Sequence, residues 1–272
     1  MLRLGLLSDL HCELDPQGSR WINPFEPERL DDRIDEALAW FAASKIDALV
    51  LLGDFVQAAD PHSLEHAMAR VAHFAAAPVG AVAGNHDLRV DLPGAARRHG
   101  LRLLADEPLE LDGAVVAGVG LSRRGSEGPF YLGELGPVPS DGLLVVASHF
   151  PLLSEAERLA AAGLSYPGNL VNREALLARV GAAKPVVVLS GHIHARTSRV
   201  DGPVLQFTVG ALIEPPFDCT LLELDPDGFR AIRTARRLGP AGAVDPVFAP
   251  EGESWHLSAT GWRTAADGAA IE

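Results

Sequence analysis

The residues that most constrain this chain are polar ones standing at the ends of short apolar runs. Nine of them fall into five clusters: Asp9 with His11, Asp54, Asn85 with His86 and Asp87, His149, and His192 with His194. The local strings read SDLH, GDF, GNHD, SHF and GHIH; four of the five follow a run of Val, Leu, Ala or Ile, and Gly accompanies three. Apolar runs of this length, bounded by turn residues, are the mark of buried strands. A chain that repeatedly ends such strands in Asp, Asn or His gathers metal-ligating side chains at one edge of a sheet. This pattern favours an enzyme over a binding module.

The spacing between the clusters predicts the frame that carries them. The first strand spans Leu2 to Leu7, and residues 12–27 form a long loop with three prolines. Asp31 to Ser44 reads as a helix, because Ile34, Leu38 and Phe41 recur near the helical period with Ala37 filling the stripe. Ala48 to Leu52 is a buried strand. Pro61 to Ala75 is a second helix with Leu64, Met68, Val71 and Ala75 on one face, and Pro61 suits its first turn. Val79 to Ala83 is the third strand. Fully apolar strands alternating with helices imply a parallel sheet covered on both faces. Ligands of such sheets bind beyond the carboxyl ends of the strands, where the clusters lie.

The second half is richer in strand. Val115–Val119, Leu143–Ala147, Val186–Leu189, Val204–Val209, Thr220–Leu224 and Phe229–Thr234 are strand candidates. Asp225-Pro226-Asp227-Gly228 signals a hairpin turn. Asn172–Val180 reads as a helix with Asn172 as its cap. These elements predict a second sheet packed on the first in one core, as a single domain over residues 1–236. Residues 237–272, rich in Gly, Ala and Pro, read as an irregular arm or tail, part of it docked through Phe248, Trp255 and Trp262.

Composition narrows the partners. With 272 residues the chain can bury one large core without a second domain. Lys and Arg number 23 against 36 Asp and Glu, a net charge of −13, which disfavours general binding to nucleic acid or anionic membranes. A phosphorylated substrate stays open, because bound cations invert the charge of a local pocket. No apolar run reaches the roughly 18 to 20 residues needed to span a bilayer. The N-terminal stretch lacks a small-residue cleavage site and reads as a strand rather than a leader. Cys12 and Cys219 are the only cysteines and form no metal motif. A reducing cytoplasm is the simplest compartment.

The chemistry of the clusters follows from their donor types. In D-x-H and H-x-H, a separation of two puts both side chains on one side of an extended backbone. Asp9 and His11 can then share one cation, while His192 and His194 can address different cations if the backbone curls. The two oxygens of Asp54 can bridge cations about 3.5–4 Å apart, the spacing of a dinuclear hydrolase. Asn85 offers a neutral oxygen, which limits excess negative charge. Two cations would supply a bridging hydroxide at neutral pH and screen the phosphate charge that repels it. The hydroxide would attack phosphorus in line with the leaving oxygen. His86 can point at the substrate, since a histidine titrates near neutrality and can donate to a leaving oxygen. No nucleophilic Ser or Cys motif for a covalent phosphoenzyme is present.

In these five motifs and their order the chain closely resembles the calcineurin-like metallophosphoesterase superfamily, over residue 3 to about 224. The resemblance implies a four-layer α-β-β-α sandwich of α/β class with two central, mostly mixed sheets. It implies two divalent or mixed-valence metal ions, with Mn or Fe favoured and Zn admitted by the mixed oxygen and nitrogen donors. Asp9, His11 and His194 would hold one ion, Asn85, His149 and His192 the other, and Asp54 would bridge them. His86 would hydrogen-bond the phosphate or protonate the leaving oxygen. Asp87 would orient His86 or stabilise its loop.

The expected activity is hydrolysis of a phosphodiester, with phosphomonoester hydrolysis as the alternative. A metal-stabilised interaction scaffold without catalysis is the alternative of another class. The expected substrate is a small phosphorylated molecule, a nucleotide among the candidates. Trp21 and Phe25 could stack on a base or an apolar leaving group, or simply anchor their loop. Arg123 and Arg124 could meet a phosphate or carboxylate, or sit in a solvated turn. Tyr166 and Asn169 are weaker candidates for the wall of the site.

Overall fold

The computed structural model describes residues 1–15, 25–125, 128–135, 142–165, 170–181, 185–242 and 245–265. Strand β1 (Leu2–Leu7) leads through helix α1 (Leu30–Ser44) to β2 (Ala48–Leu51), then through α2 (Pro61–Ala72) to β3 (Val79–Ala81). Helix α3 (Leu92–His99) and the short β4 (Arg102–Leu103) follow. Strands β1 to β4 are parallel neighbours, with Leu6 beside Val50 and Val50 beside Gly80. The predicted β-α-β-α-β order is therefore observed. Helix α2 begins where Asp60 accepts the backbone N–H groups of His62 and Ser63 at 3.1 and 2.9 Å, with Pro61 next in line. It ends at Ala72, three residues short of the expected Ala75.

The second sheet contains β5 (Leu109–Leu111), β6 (Ala114–Arg123), β7 (Phe130–Leu135), β8 (Leu143–Ala147), β9 (Val186–Ser190), β10 (Thr197–Asp201) and β11 (Val204–Thr208). Its main path runs β10-β11-β9-β8-β6-β5, and β7 pairs with β6. Helices α4 (Ala156–Ala161) and α5 (Arg173–Gly181) lie between β8 and β9 in the chain. Asn172 precedes α5, but its side chain pairs with the backbone of Leu132, accepting at 2.9 Å and donating at 2.7 Å. It fastens the helix start to β7 instead of serving only as a local cap.

Two expectations are corrected. Strands β12 (Asp218–Asp225) and β13 (Arg230–Arg237) form the predicted hairpin, with the Gly228 N–H donating to Asp225 at 3.1 Å. They do not join the second sheet; β12 lies antiparallel beside β1 and extends the first. The segment after residue 237 is not wholly irregular either. Strands β14 (Gly252–Ser258) and β15 (Gly261–Thr264) complete the first sheet, whose order is β15-β14-β13-β12-β1-β2-β3-β4. Alternation explains both results. In β12, Leu222 and Leu224 enter the core between the sheets, as does Trp262 of β15.

The same alternation separates the layers. Leu49 and Leu51 face α1, α2 and α3, where Phe41, Met68 and Ala95 are buried. Ala48 and Val50 turn the other way, with Leu4 and Leu6, and meet Val145, Ala147, Val187 and Leu189. On the far side of the second sheet, Val146 and Val188 pack against Leu176 and Val180 of α5. Helices outside and two sheets inside give the expected α/β four-layer sandwich with mixed sheets. Among the described residues no helix is long and apolar enough to cross a membrane.

Candidate metal centre

All five clusters emerge from the carboxyl ends of parallel strands: β1, β2 and β3 in the first sheet, β8 and β9 in the second. Beyond β1 and β2 the backbones stay paired, with the N–H groups of Asp9, His11 and Cys12 donating to the carbonyls of Gly53, Asp54 and Phe55 at 3.1, 2.9 and 2.8 Å. Asp9, His11, Asp54, His192 and His194 all adopt positive φ, between 43° and 69°. Each such residue costs about 1–3 kcal/mol unless the surroundings fix it, and such outliers concentrate at functional sites. With this curl His192 and His194 reach different donor groups, while Asp9 and His11 share one.

The motif glycines are dictated by close approach. A Cβ on Gly84 would sit 2.1 Å from the Asp54 Oδ1, and one on Gly191 would sit 1.8 Å from the Ser8 hydroxyl. Asp87 draws these loops together from below. Its carboxylate accepts the N–H groups of Gly84, Asp54 and Phe55 at 2.8, 2.9 and 2.9 Å. Of the two roles expected for Asp87, its contacts match loop stabilisation.

The seven expected ligands converge. His194 Nε2 lies 3.2 Å from Asp9 Oδ1 and 3.2 Å from His11 Nε2. His149 Nε2 lies 3.1 Å from Asn85 Oδ1 and 3.3 Å from His192 Nδ1. Asp54 Oδ2 stands between the groups, 3.6 Å from His11 Nε2 and 3.2 Å from His149 Nε2. Two donors bound at about 2.1 Å to one cation sit roughly 3.0–3.4 Å apart. The observed spacings, 3.1 to 3.6 Å, suit side chains that could share cations. Asp9 Oδ1 is buried without a well-formed hydrogen bond, with the His194 ring nitrogen 3.2 Å away. A buried, unsatisfied carboxylate oxygen is costly unless a positive group meets it.

Electrostatics agree. Burial alone would raise the Asp9 carboxyl, but His194 outweighs it and holds it down at about 2. Asp54 is likewise held well below the ordinary carboxylate value against burial, chiefly by His149. Burial alone would lower His149 and His194; Asp54 lifts the first to about 9, and Asp9 with Glu214 lifts the second to about 10. His11, by contrast, is pushed down to about 3 by burial, so His149 and His194 are the rings that balance the buried carboxylates.

His86 lies close enough to His11 and Asp54 to form a third possible donor group, and one of its ring nitrogens is already engaged. Its Nδ1 is 2.6 Å from the Gln57 carbonyl, which can only accept, so Nδ1 carries the proton. Its ring stands edge-on to His11 at 4.7 Å, and its backbone N–H donates to Asp54 Oδ1 at 2.8 Å. Phe25 packs against the core beneath the first sheet and beside the centre, with its ring 5.1 Å from that of His11 and 5.8 Å from that of His194. Arg123, at the end of β6, and Arg124 lie over the Phe130 and Tyr131 rings of their own hairpin. Trp21, Tyr166 and Asn169 lie outside the described residues. Two residues escaped the sequence reading. Phe150 stacks on His192 at 3.7 Å, and Glu214 pairs with His194 Nδ1. The signal for Glu214 was an acidic residue inside the apolar string VGALIEPPF, where a buried carboxylate requires a partner.

Comparison with known proteins places this geometry. No curated protein sequence matches the chain significantly. Solved structures do match in fold. A dimetal phosphatase from Danio rerio aligns with a TM-score of 0.58 at 15% identity, covering 87% of this chain and 96% of that one. A purple acid phosphatase from yellow lupin (Lupinus luteus) seeds aligns with a TM-score of 0.56 at 15% identity, over 100% of this chain and 55% of that one. The phosphopantetheinyl hydrolase of Mycobacterium tuberculosis aligns with a TM-score of 0.50 at 16% identity, over 76% and 89%. The profile described as calcineurin-like phosphoesterase matches residues 2–196, which takes in all five clusters. A match over that much of the chain makes the protein a member of the calcineurin-like phosphoesterase family.

Proposed function

We propose that the protein is a dinuclear metal-dependent phosphoesterase that hydrolyses a phosphodiester. The observation that carries this reading is the position of Asp54, whose Oδ2 faces His11 Nε2 at 3.6 Å and His149 Nε2 at 3.2 Å. One carboxylate open to both donor groups can serve two cations at once. Asp9, His11 and His194 would hold one and Asn85, His149 and His192 the other. When bound, such a pair supplies Lewis acidity toward the phosphate and a water acidified to near neutral pH. Mixed oxygen and nitrogen donors suit Mn²⁺, Fe or Zn²⁺.

The chain's own residues do the rest. With Nδ1 held by the Gln57 carbonyl, the His86 ring keeps Nε2 for the substrate. There the doubly protonated ring, carrying a second proton on Nε2, would hydrogen-bond a phosphate oxygen and pass that proton to the departing oxygen. Two divalent cations would offset the carboxylates of Asp9, Asp54 and Glu214, so the preference for a diester rests on what the site offers beyond the phosphate. The half-buried ring of Phe25 offers a flat face for a base or an apolar leaving group, as in a small nucleotide. The free thiols of Cys12 and Cys219 fit a reducing compartment such as the cytoplasm.

The test is turnover of bis-p-nitrophenyl phosphate beside p-nitrophenyl phosphate, after chelation and reloading with Mn²⁺, Fe²⁺ or Zn²⁺. Metal-dependent turnover with the diester preferred is expected. Preference for the monoester would reassign the protein as a phosphomonoesterase. Silence with every metal would overturn catalysis in favour of a metal-stabilised scaffold.

A further inference from the structure

We propose that Glu214 is a positioning residue, fixing the His194 ring so that its Nε2 faces the Asp9–His11 site. This rests on the dinuclear reading above. Glu214 lies in the loop after β11, beyond residue 196 where the family profile ends. It is 7% exposed, and its Oε1 pairs with His194 Nδ1. The opposite ring nitrogen, Nε2, is the one 3.2 Å from Asp9 Oδ1 and 3.2 Å from His11 Nε2. A carboxylate facing Nδ1 favours the proton there, which leaves the Nε2 lone pair for a cation.

The loop that carries Glu214 is built to hold still. The Leu212 N–H donates to the Ser8 carbonyl at 3.1 Å, next to Asp9 itself. The Ile213 carbonyl accepts the Glu26 N–H at 3.0 Å, and the Phe217 N–H closes the turn on the Glu214 carbonyl at 2.8 Å. Arg33 locks both segments, pairing with Glu26 while its guanidinium lies 3.7 Å over the Phe217 ring. The same arrangement brings Phe25 against the face of His194. The ring is therefore gripped at its edge by Glu214 and on its face by Phe25. His149, in the other donor group, has only a neutral partner at Nδ1, the Leu52 carbonyl at 2.7 Å. The anion behind His194 strengthens one donor group over the other.

The experiment measures metal affinity by competition with a chromogenic chelator, using Zn²⁺ and Mn²⁺ on the full chain. Glu214→Ala removes the acceptor, whereas Glu214→Gln keeps an acceptor oxygen without the charge. Glu214→Ala should weaken one of the two bound equivalents about 10–100-fold, and Glu214→Gln should recover part of the loss. In a His194→Ala background, Glu214→Ala should change affinity by less than about twofold, because the route through His194 is gone. Wild-type affinity in Glu214→Ala overturns the proposal, as does an equal loss in both backgrounds. If Glu214→Ala does not fold, unchanged affinity in Glu214→Gln overturns it. A wild-type protein that binds no metal overturns instead the dinuclear reading and this inference with it.

Discussion

Gly84→Ala tests the packing of the centre without removing any ligand. The added Cβ would stand 2.1 Å from Asp54 Oδ1 and 2.2 Å from the Asp54 backbone nitrogen. An ordinary carbon–oxygen contact is about 3.3 Å or more, so one partner must retreat by over about 1 Å. Neither is free to do so cheaply. Asp54 Oδ1 accepts the His86 N–H at 2.8 Å, and the Gly84 and Asp54 N–H groups both bind Asp87. Overpacking of this kind costs about 1–3 kcal/mol, which in a domain of this size lowers Tm on the order of 5 °C. A displacement of about 1 Å at a carboxylate shared by two cations should lower kcat/KM about 100-fold. The assay is diester turnover with the metal supplied in excess, alongside thermal unfolding and metal content. Gly120→Ala is the control, since its Cβ would meet nothing closer than 3.8 Å. If Gly84→Ala keeps wild-type turnover and two metals, the argument that this glycine sets the position of Asp54 is wrong.

Three further outcomes are expected. Asp54→Asn should lose more than the roughly 10–100-fold in metal affinity that changes behind the ligands cost, with most turnover gone; near-wild-type rate and two bound metals would contradict the bridging position. His86→Ala should bind both metals yet lose about 10²–10⁴ in rate, and loss of one metal equivalent would make it a ligand instead. Trp262→Ala removes a side chain 3% exposed, whose indole N–H donates to the Pro203 carbonyl at 2.9 Å. It should cost about 3–5 kcal/mol in chemical denaturation while leaving turnover at low temperature intact, and an unchanged midpoint would mean that β15 does not belong to the cooperative core.

The centre was legible because its residues are local signals. Asp9, Asp54, Asn85, His149 and His192 each lie within four residues of a strand end, and that adjacency survives in the linear chain. Glu214 stood out only as an acid in an apolar string; its pairing was not legible, since His194 is 20 residues away and nothing in the intervening β10–β11 hairpin announces it. The strand positions of β12 and β13 were readable from alternation, but their sheet was not. Which strand pairs with β1 is a non-local choice between edges of similar hydrophobicity. The tail misled for a related reason. Gly252 and Gly261 make β14 and β15 look weak, yet their pairing with β13 and the burial of Trp262 outweigh that propensity.

The donors divide four to three in origin. Asp9, His11, Asp54 and Asn85 leave the first sheet, while His149, His192 and His194 leave the second. Neither sheet alone carries a complete set for either cation, so each cation would act as a rivet between halves. Metal occupancy is then a report on assembly as much as on chemistry. Without the cations the seam between the layers would rest on the apolar core between the sheets. The loops around the rim can vary in length and composition without disturbing that rivet, which leaves a scaffold of this kind free to change what it cleaves while keeping how it cleaves.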